Sequence, residues 1–121
     1  MSASRKKTES AIQRALVDWL ASNYRHVMVQ ATLNENSRNY MSMGCTVGIP
    51  DLMLFWRRGG ILQVMFLELK TKTGRLSKSQ TGWKEAWFDA LLKEKNAHYA
   101  VAYGFSDAKN ILEAVLHVPK S

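Results

Sequence analysis

The sequence predicts an α/β domain with its elements in the order αβββαβα, and three observations predict it. Two β-type runs, Pro50 to Arg58 and Ile61 to Lys70, flank Gly59-Gly60, a pair that accepts positive φ and so forms a two-residue hairpin loop. Apolar residues at helical spacing bracket that hairpin, with Ile12, Leu16, Trp19 and Leu20 before it and Trp83, Trp87, Ala90 and Leu91 after it. A last β-type run, Ala97 to Tyr103, follows a whole helix, so it is expected to lie parallel to the strand ending at Lys70 through a right-handed crossover. The expected architecture is a mixed four-stranded sheet flanked by helices, with an extra helix at the C-terminus.

Taken in order, residues 1–7 read as a flexible basic arm and residues 8–121 as a single domain. The first helix is expected from Thr8 to about Ser22 and the first strand from His26 to Leu33. Asn34 to Val47 has no period and reads as a polar loop, either functional or simply solvated. Ser77-Lys78-Ser79-Gln80 has the S-x-x-Q form of a capping box and opens a helix expected from Ser79 to Lys95. That helix is expected to bury its tryptophans as core, since they keep helical period. Ser106 is expected to cap a final helix with Ile111, Leu112, Val115 and Leu116 on its apolar face, ending before Pro119.

Composition narrows the partner. Seventeen Lys and Arg stand against ten Asp and Glu, a net charge of +7 over 121 residues, which suits a polyanion better than an acidic surface. Cys45 is the only cysteine, which excludes a disulfide framework and a cysteine-rich zinc site, and His26, His98 and His117 lack metal-ligand spacing. No apolar run has the length of a membrane span and the first ten residues are polar and basic, so no membrane partner, no organic cofactor and a cytoplasmic location are expected.

The hairpin carries the candidate chemistry. If Gly59-Gly60 is the loop, Arg58 pairs with Ile61, and counting back sets Asp51 across from Glu68. Opposite side chains in an antiparallel pair lie about 5 Å apart at Cβ, where like charges repel. A cation reverses that sign. Lys70, two residues beyond Glu68, falls on the same face by the period-2 pleat. The competing reading is a solvated pair of strand carboxylates with Lys70 as their counter-ion, but Met53, Phe55, Val64 and Phe66 make the rest of this face apolar. Glu9 falls on the buried stripe of the first helix, three residues before Ile12 and seven before Leu16, and an acid in a first turn also suits the helix dipole. Lys72, Arg75 and Lys78 rim the strand end, as phosphate contacts or as an ordinary solvated turn.

These residues resemble a known family. Pro50-Asp51, a spacer and Glu68-Leu69-Lys70 match the PD-(D/E)XK nuclease motif. Gly48-Ile49-Pro50-Asp51-Leu52 with Gly74-Arg75-Leu76-Ser77-Lys78-Ser79-Gln80 resembles its virus-type replication-repair nuclease (VRR-NUC) branch, over roughly Glu9 to Tyr103. The resemblance implies a restriction-endonuclease-like αβββαβ core and a Mg²⁺- or Mn²⁺-dependent endonuclease acting on DNA, in branched forms such as Holliday junctions, as a homodimer. It implies metal ligation by Asp51, Glu68, the Leu69 carbonyl and Glu9, and catalytic roles for Lys70 and Gln80. It also sets Asn34 and Arg38 near the site, with Arg38 contacting nucleic acid. Two other readings stay open: a nucleic-acid-binding module that keeps this fold without cutting, and a member directed at RNA.

Overall fold

A computed structural model describes residues 8–32 and 42–117. The candidates Asn34 and Arg38 and the basic arm 1–7 lie outside the described residues. The element order is α1 (Glu9–Asn23), β1 (Met28–Ala31), β2 (Leu52–Arg58), β3 (Ile61–Lys70), α2 (Lys78–Trp83) running into a π-helical segment (Lys84–Asp89), β4 (Ala97–Tyr103) and α3 (Phe105–Leu116). The strands form one sheet in the order β1-β2-β3-β4, antiparallel except for the parallel β3–β4 pair, as the intervening helix requires.

Register follows from the glycine hairpin. Gly59 and Gly60 take φ of 57° and 81°, the left-handed values that a two-residue loop needs, and Arg58 pairs with Ile61. Alternation then sorts side chains between the two faces. Leu52, Leu54, Trp56, Met65, Leu67 and Leu69 are buried on one face, where they join Ile12, Leu16 and Leu20 of α1 and Ala108, Leu112 and Leu116 of α3 in one core. Arg58 ties the hairpin to α3 by donating to the Val115 carbonyl, and to that of His117 at 3.4 Å, which satisfies acceptors left over at a helix end. His98 is a structural residue: it stacks on Trp56 and hydrogen-bonds the buried Gln63 at 3.0 Å.

The opposite face belongs to α2 and the π-helical segment, and here the structure corrects the sequence. An α-period over Ser79 to Lys95 places Trp87, Ala90 and Leu91 against the sheet, yet all three are exposed, Trp87 at 49% and Leu91 at 62%. The cause is a change of winding. In a π-turn residues five apart come into line. Trp83 and Phe88 therefore share the Tyr99 ring, with centroids 6.3 and 5.5 Å from it, and Trp87 is turned outward. Lys84 and Asp89, also five apart, form an ion pair at 2.9 Å along the same turn. The amides of Leu91 and Leu92 both bond the Trp87 carbonyl, and the chain leaves the helix there.

Two smaller corrections concern element ends. Strand β1 starts at Met28 because the Val27 amide closes a turn onto the Tyr24 carbonyl. Helix α3 starts at Phe105 with Gly104 as N-cap rather than Ser106, since Gly104 adopts φ 96°. Among the described residues no helix is long and apolar enough to cross a membrane.

Candidate active site

The site lies where β3 ends, and five separate pieces of chain converge there. Asp51 directly precedes β2, one step past the last ladder pair, Leu52 with Leu67. Instead of extending the ladder, its side chain takes over: Oδ2 accepts the Leu69 amide at 2.8 Å. Its main-chain carbonyl is held by the Thr32 amide at 3.0 Å, so β1 also fixes this residue. The extended register sets Glu68 opposite, as the hairpin count predicts.

Glu68 is 1% exposed, and it stands against Asp51. Burial, then the Asp51 charge and a hydrogen bond between the two carboxyls, push its pKa up to about 9 against the pull of Lys70. At neutral pH the pair therefore shares a proton. Lys70 is buried beside it, with Nζ 3.8 Å from Glu68 Oε2 and 3.9 Å from Glu9 Oε2. Glu9 is the first residue of α1, whose N-cap Thr8 accepts the Ala11 amide at 3.1 Å, and the helix start delivers its half-exposed carboxylate to Lys70. Glu9 is thus a partner of the lysine rather than of the acid pair.

Gln80 has two partners at once. Its Oε1 accepts the Ser77 amide at 2.8 Å, completing a reciprocal capping box in which Ser77 Oγ accepts the Gln80 amide at 3.2 Å. Its Nε2 donates to Glu68 Oε2 at 2.8 Å. The cap and the site do not compete, because each uses a different atom of the one amide.

Gly48 explains the spacing of the Gly-Ile-Pro-Asp stretch. With φ at 87° its Cα lies against the first turn of α2, and a Cβ there would stand 2.1 Å from the Ser79 carbonyl oxygen. This contact brings the Asp51 loop and the Gln80 helix together, and its signal in the sequence was the glycine itself. Lys72, Arg75 and Lys78 are exposed around the β3–α2 connection, with no ion pair among the described residues.

Two buried carboxylates sharing a proton are a donor set that fits a hard divalent cation, which favours oxygen ligands and takes the place of that proton. The Leu69 carbonyl leaves the strand on the same edge as the amide that Asp51 holds. Among the described residues no three His, Cys, Asp or Glu side chains gather to hold a metal by themselves, in keeping with the turn of Glu9 toward Lys70.

The comparison with protein families finds one matching model, the VRR-NUC domain, over residues 3–106. Neither the curated proteins nor the solved structures give a significant match. With most of its length matched, and Asp51, Glu68, Lys70 and Gln80 assembled at the end of one strand, the chain belongs to the VRR-NUC family of nuclease domains in the PD-(D/E)XK superfamily.

Proposed function

We propose that the protein is a Mg²⁺- or Mn²⁺-dependent endonuclease that hydrolyses phosphodiester bonds in branched DNA, such as Holliday junctions, as a homodimer. The observation that carries this reading is the buried Asp51–Glu68 pair with Lys70 3.8 Å from Glu68 and Gln80 bonded to it. Asp51, Glu68 and the Leu69 carbonyl are the groups that would hold the ion. When bound, it supplies positive charge against the phosphoryl oxygens and lowers the pKa of water at the site.

The chain's own residues do the rest. Gln80 fixes one oxygen of Glu68 and so orients the carboxylate. Lys70 presents an ammonium on the face where the acids lie, to orient water or to meet charge building on the phosphate. Glu9 steadies that ammonium from α1, in place of the metal contact that the family resemblance implied. Lys72, Arg75 and Lys78 form the rim over which a polyanion approaches, and their contacts to phosphate position the strand without reading its sequence. Net charge +7 favours the encounter.

A cleavage panel tests the reading: four-way junction, flap, linear duplex and structured RNA, each with Mg²⁺, Mn²⁺ or EDTA. The expected result is cleavage of branched DNA with either ion and none in EDTA, lost in Asp51→Ala and Glu68→Ala while DNA binding is kept or raised. Binding that persists in EDTA with no cleavage under any condition would reduce the protein to a nucleic-acid-binding module. Preferential cutting of RNA would change the substrate class.

A further inference from the structure

Strand β4 ends the sheet on one side. Its even-numbered residues turn their main-chain groups toward β3, as the bonds from the Val64 amide to the Asn96 carbonyl and from the Gly104 amide to the Lys70 carbonyl fix. The odd-numbered residues face outward. At the two ends this edge is closed from within, since the Ala97 amide meets the Glu94 carbonyl at 3.0 Å and the Tyr103 amide meets Asp107 Oδ2 at 2.8 Å. Between them Tyr99 and Val101 carry amides and carbonyls that meet no partner among the described residues. Edge strands usually carry a charge, a proline or a bulge against pairing. The run Ala97-His98-Tyr99-Ala100-Val101-Ala102-Tyr103 has no Asp, Glu, Lys, Arg or Pro, and its register with β3 is unbroken.

We propose that this edge is where a second copy of the chain docks, β4 against β4, antiparallel across a two-fold axis at Ala100. The register follows from the outward groups. Paired residues must both face out, so Tyr99 pairs with Val101 of the second copy and Val101 with its Tyr99, each pair exchanging two hydrogen bonds. Ala100 then meets its own counterpart on the axis, in the non-hydrogen-bonded position where strands come closest and a small side chain fits.

Three features favour a second copy over another occupant. Two molecules of net charge +7 repel over most of their surfaces, and this strand lets them meet without opposing charges. The pattern is complementary to itself only in the antiparallel sense that a two-fold axis generates. Trp87 and Leu91, exposed on the element whose Phe88 rests on Tyr99, supply apolar area beside the strand. A nucleic acid finds no cation on this edge.

The inference rests on the nuclease reading only for its consequence. Antiparallel pairing keeps the same sheet face up in both copies, so both sites face one substrate. Glu68 lies level with Val101, one residue from the axis, and one strand in from the edge. Three strand spacings of about 4.8 Å across, and two residues of about 3.3 Å along, put the two Glu68 positions about 16 Å apart.

Sedimentation equilibrium of the full chain, without DNA or metal, is the test, paired with Val101→Pro. Proline at 101 removes an outward amide and no bond to β3. The expected result is a dimer of the 13.8 kDa chain whose dissociation constant rises at least about tenfold in V101P, with its circular dichroism unchanged. Hydrogen exchange reads the interface without any substitution: the Tyr99 and Val101 amides are protected in concentrated wild-type protein and exchange on dilution. A wild-type monomer at 100 µM would overturn the proposal, as would a dimer with those two amides exchanging freely, or their protection in a particle of monomer mass. Junction cleavage by a strict monomer would sink the interface and leave the nuclease; a β4-paired dimer that never cuts would do the reverse.

Discussion

Replacing Gln80 by alanine removes two interactions that differ in kind, and their sizes are separable. The bond from the Ser77 amide to Oε1, 2.8 Å long and at an exposed helix start, is one half of a capping box worth about 1 kcal/mol. The bond from Nε2 to Glu68 serves a carboxyl that is 1% exposed, and its loss strands a buried acceptor at about 1–3 kcal/mol. Together Gln80→Ala is expected to cost about 2–4 kcal/mol, a fall of roughly 8–16 °C in melting temperature for a domain of this size. Ser77→Ala is the control, since it removes the reciprocal bond at 3.2 Å and leaves Glu68 its partner, at about 1 kcal/mol. Thermal unfolding measures both, and single-turnover junction cleavage with Mn²⁺ calorimetry measures the site. Gln80→Ala is expected to lose about 10–100-fold in ion affinity or cleavage, the usual effect of removing a group that orients a ligand, and Ser77→Ala less than about twofold. Equal effects of the two variants on ion affinity would refute the second role of Gln80.

Further expectations follow from the same geometry. Gly48→Ala forces a Cβ to 2.1 Å from the Ser79 carbonyl at φ 87°, so it is expected to destabilise by more than about 2 kcal/mol in chemical denaturation and to lower activity by separating the Asp51 loop from α2. Glu68 has a folded-state pKa raised to about 9 from 4.5, so its contribution to stability is whole below pH 4.5 and is lost as pH rises toward 9. A melting series in EDTA over that window should therefore slope downward, and Glu68→Gln should flatten it. Stabilisation by Mn²⁺ should grow over the same range, because the ion displaces the shared proton. Trp83→Ala should cost about 3–5 kcal/mol and Trp87→Ala under about 0.5, by urea unfolding, since only the first is buried.

The register of the hairpin was legible because a Gly-Gly loop of fixed length determines every later pairing, and the alternation of Leu52 to Trp56 against Met65 to Leu69 allows no slip. From that register came the juxtaposition of Asp51, Glu68 and Lys70. The α2 helix was legible at its start, where capping chemistry is local, and not beyond Trp83. Nothing in Lys84 to Lys95 breaks an α-period, and the π-turn follows from packing Phe88 on Tyr99, a contact across chain segments that no local pattern encodes. The same limit applies at the site. An acid on the buried stripe of α1 was visible as Glu9, but its choice of Lys70 over the carboxylate pair depends on how α1 lies on the sheet. The twofold use of Gln80 needed atoms rather than residues: a capping glutamine has a free NH₂ group, and only the fold aims it at Glu68.

The central claim is that Asp51 and Glu68 are held together to grip a divalent ion. Anomalous diffraction from crystals soaked in Mn²⁺ at pH 8 tests it most directly. The expected result is one strong peak bounded by the Asp51 and Glu68 carboxylates, absent in Glu68→Gln; density without a peak there, or a peak that survives the substitution unchanged, would contradict it.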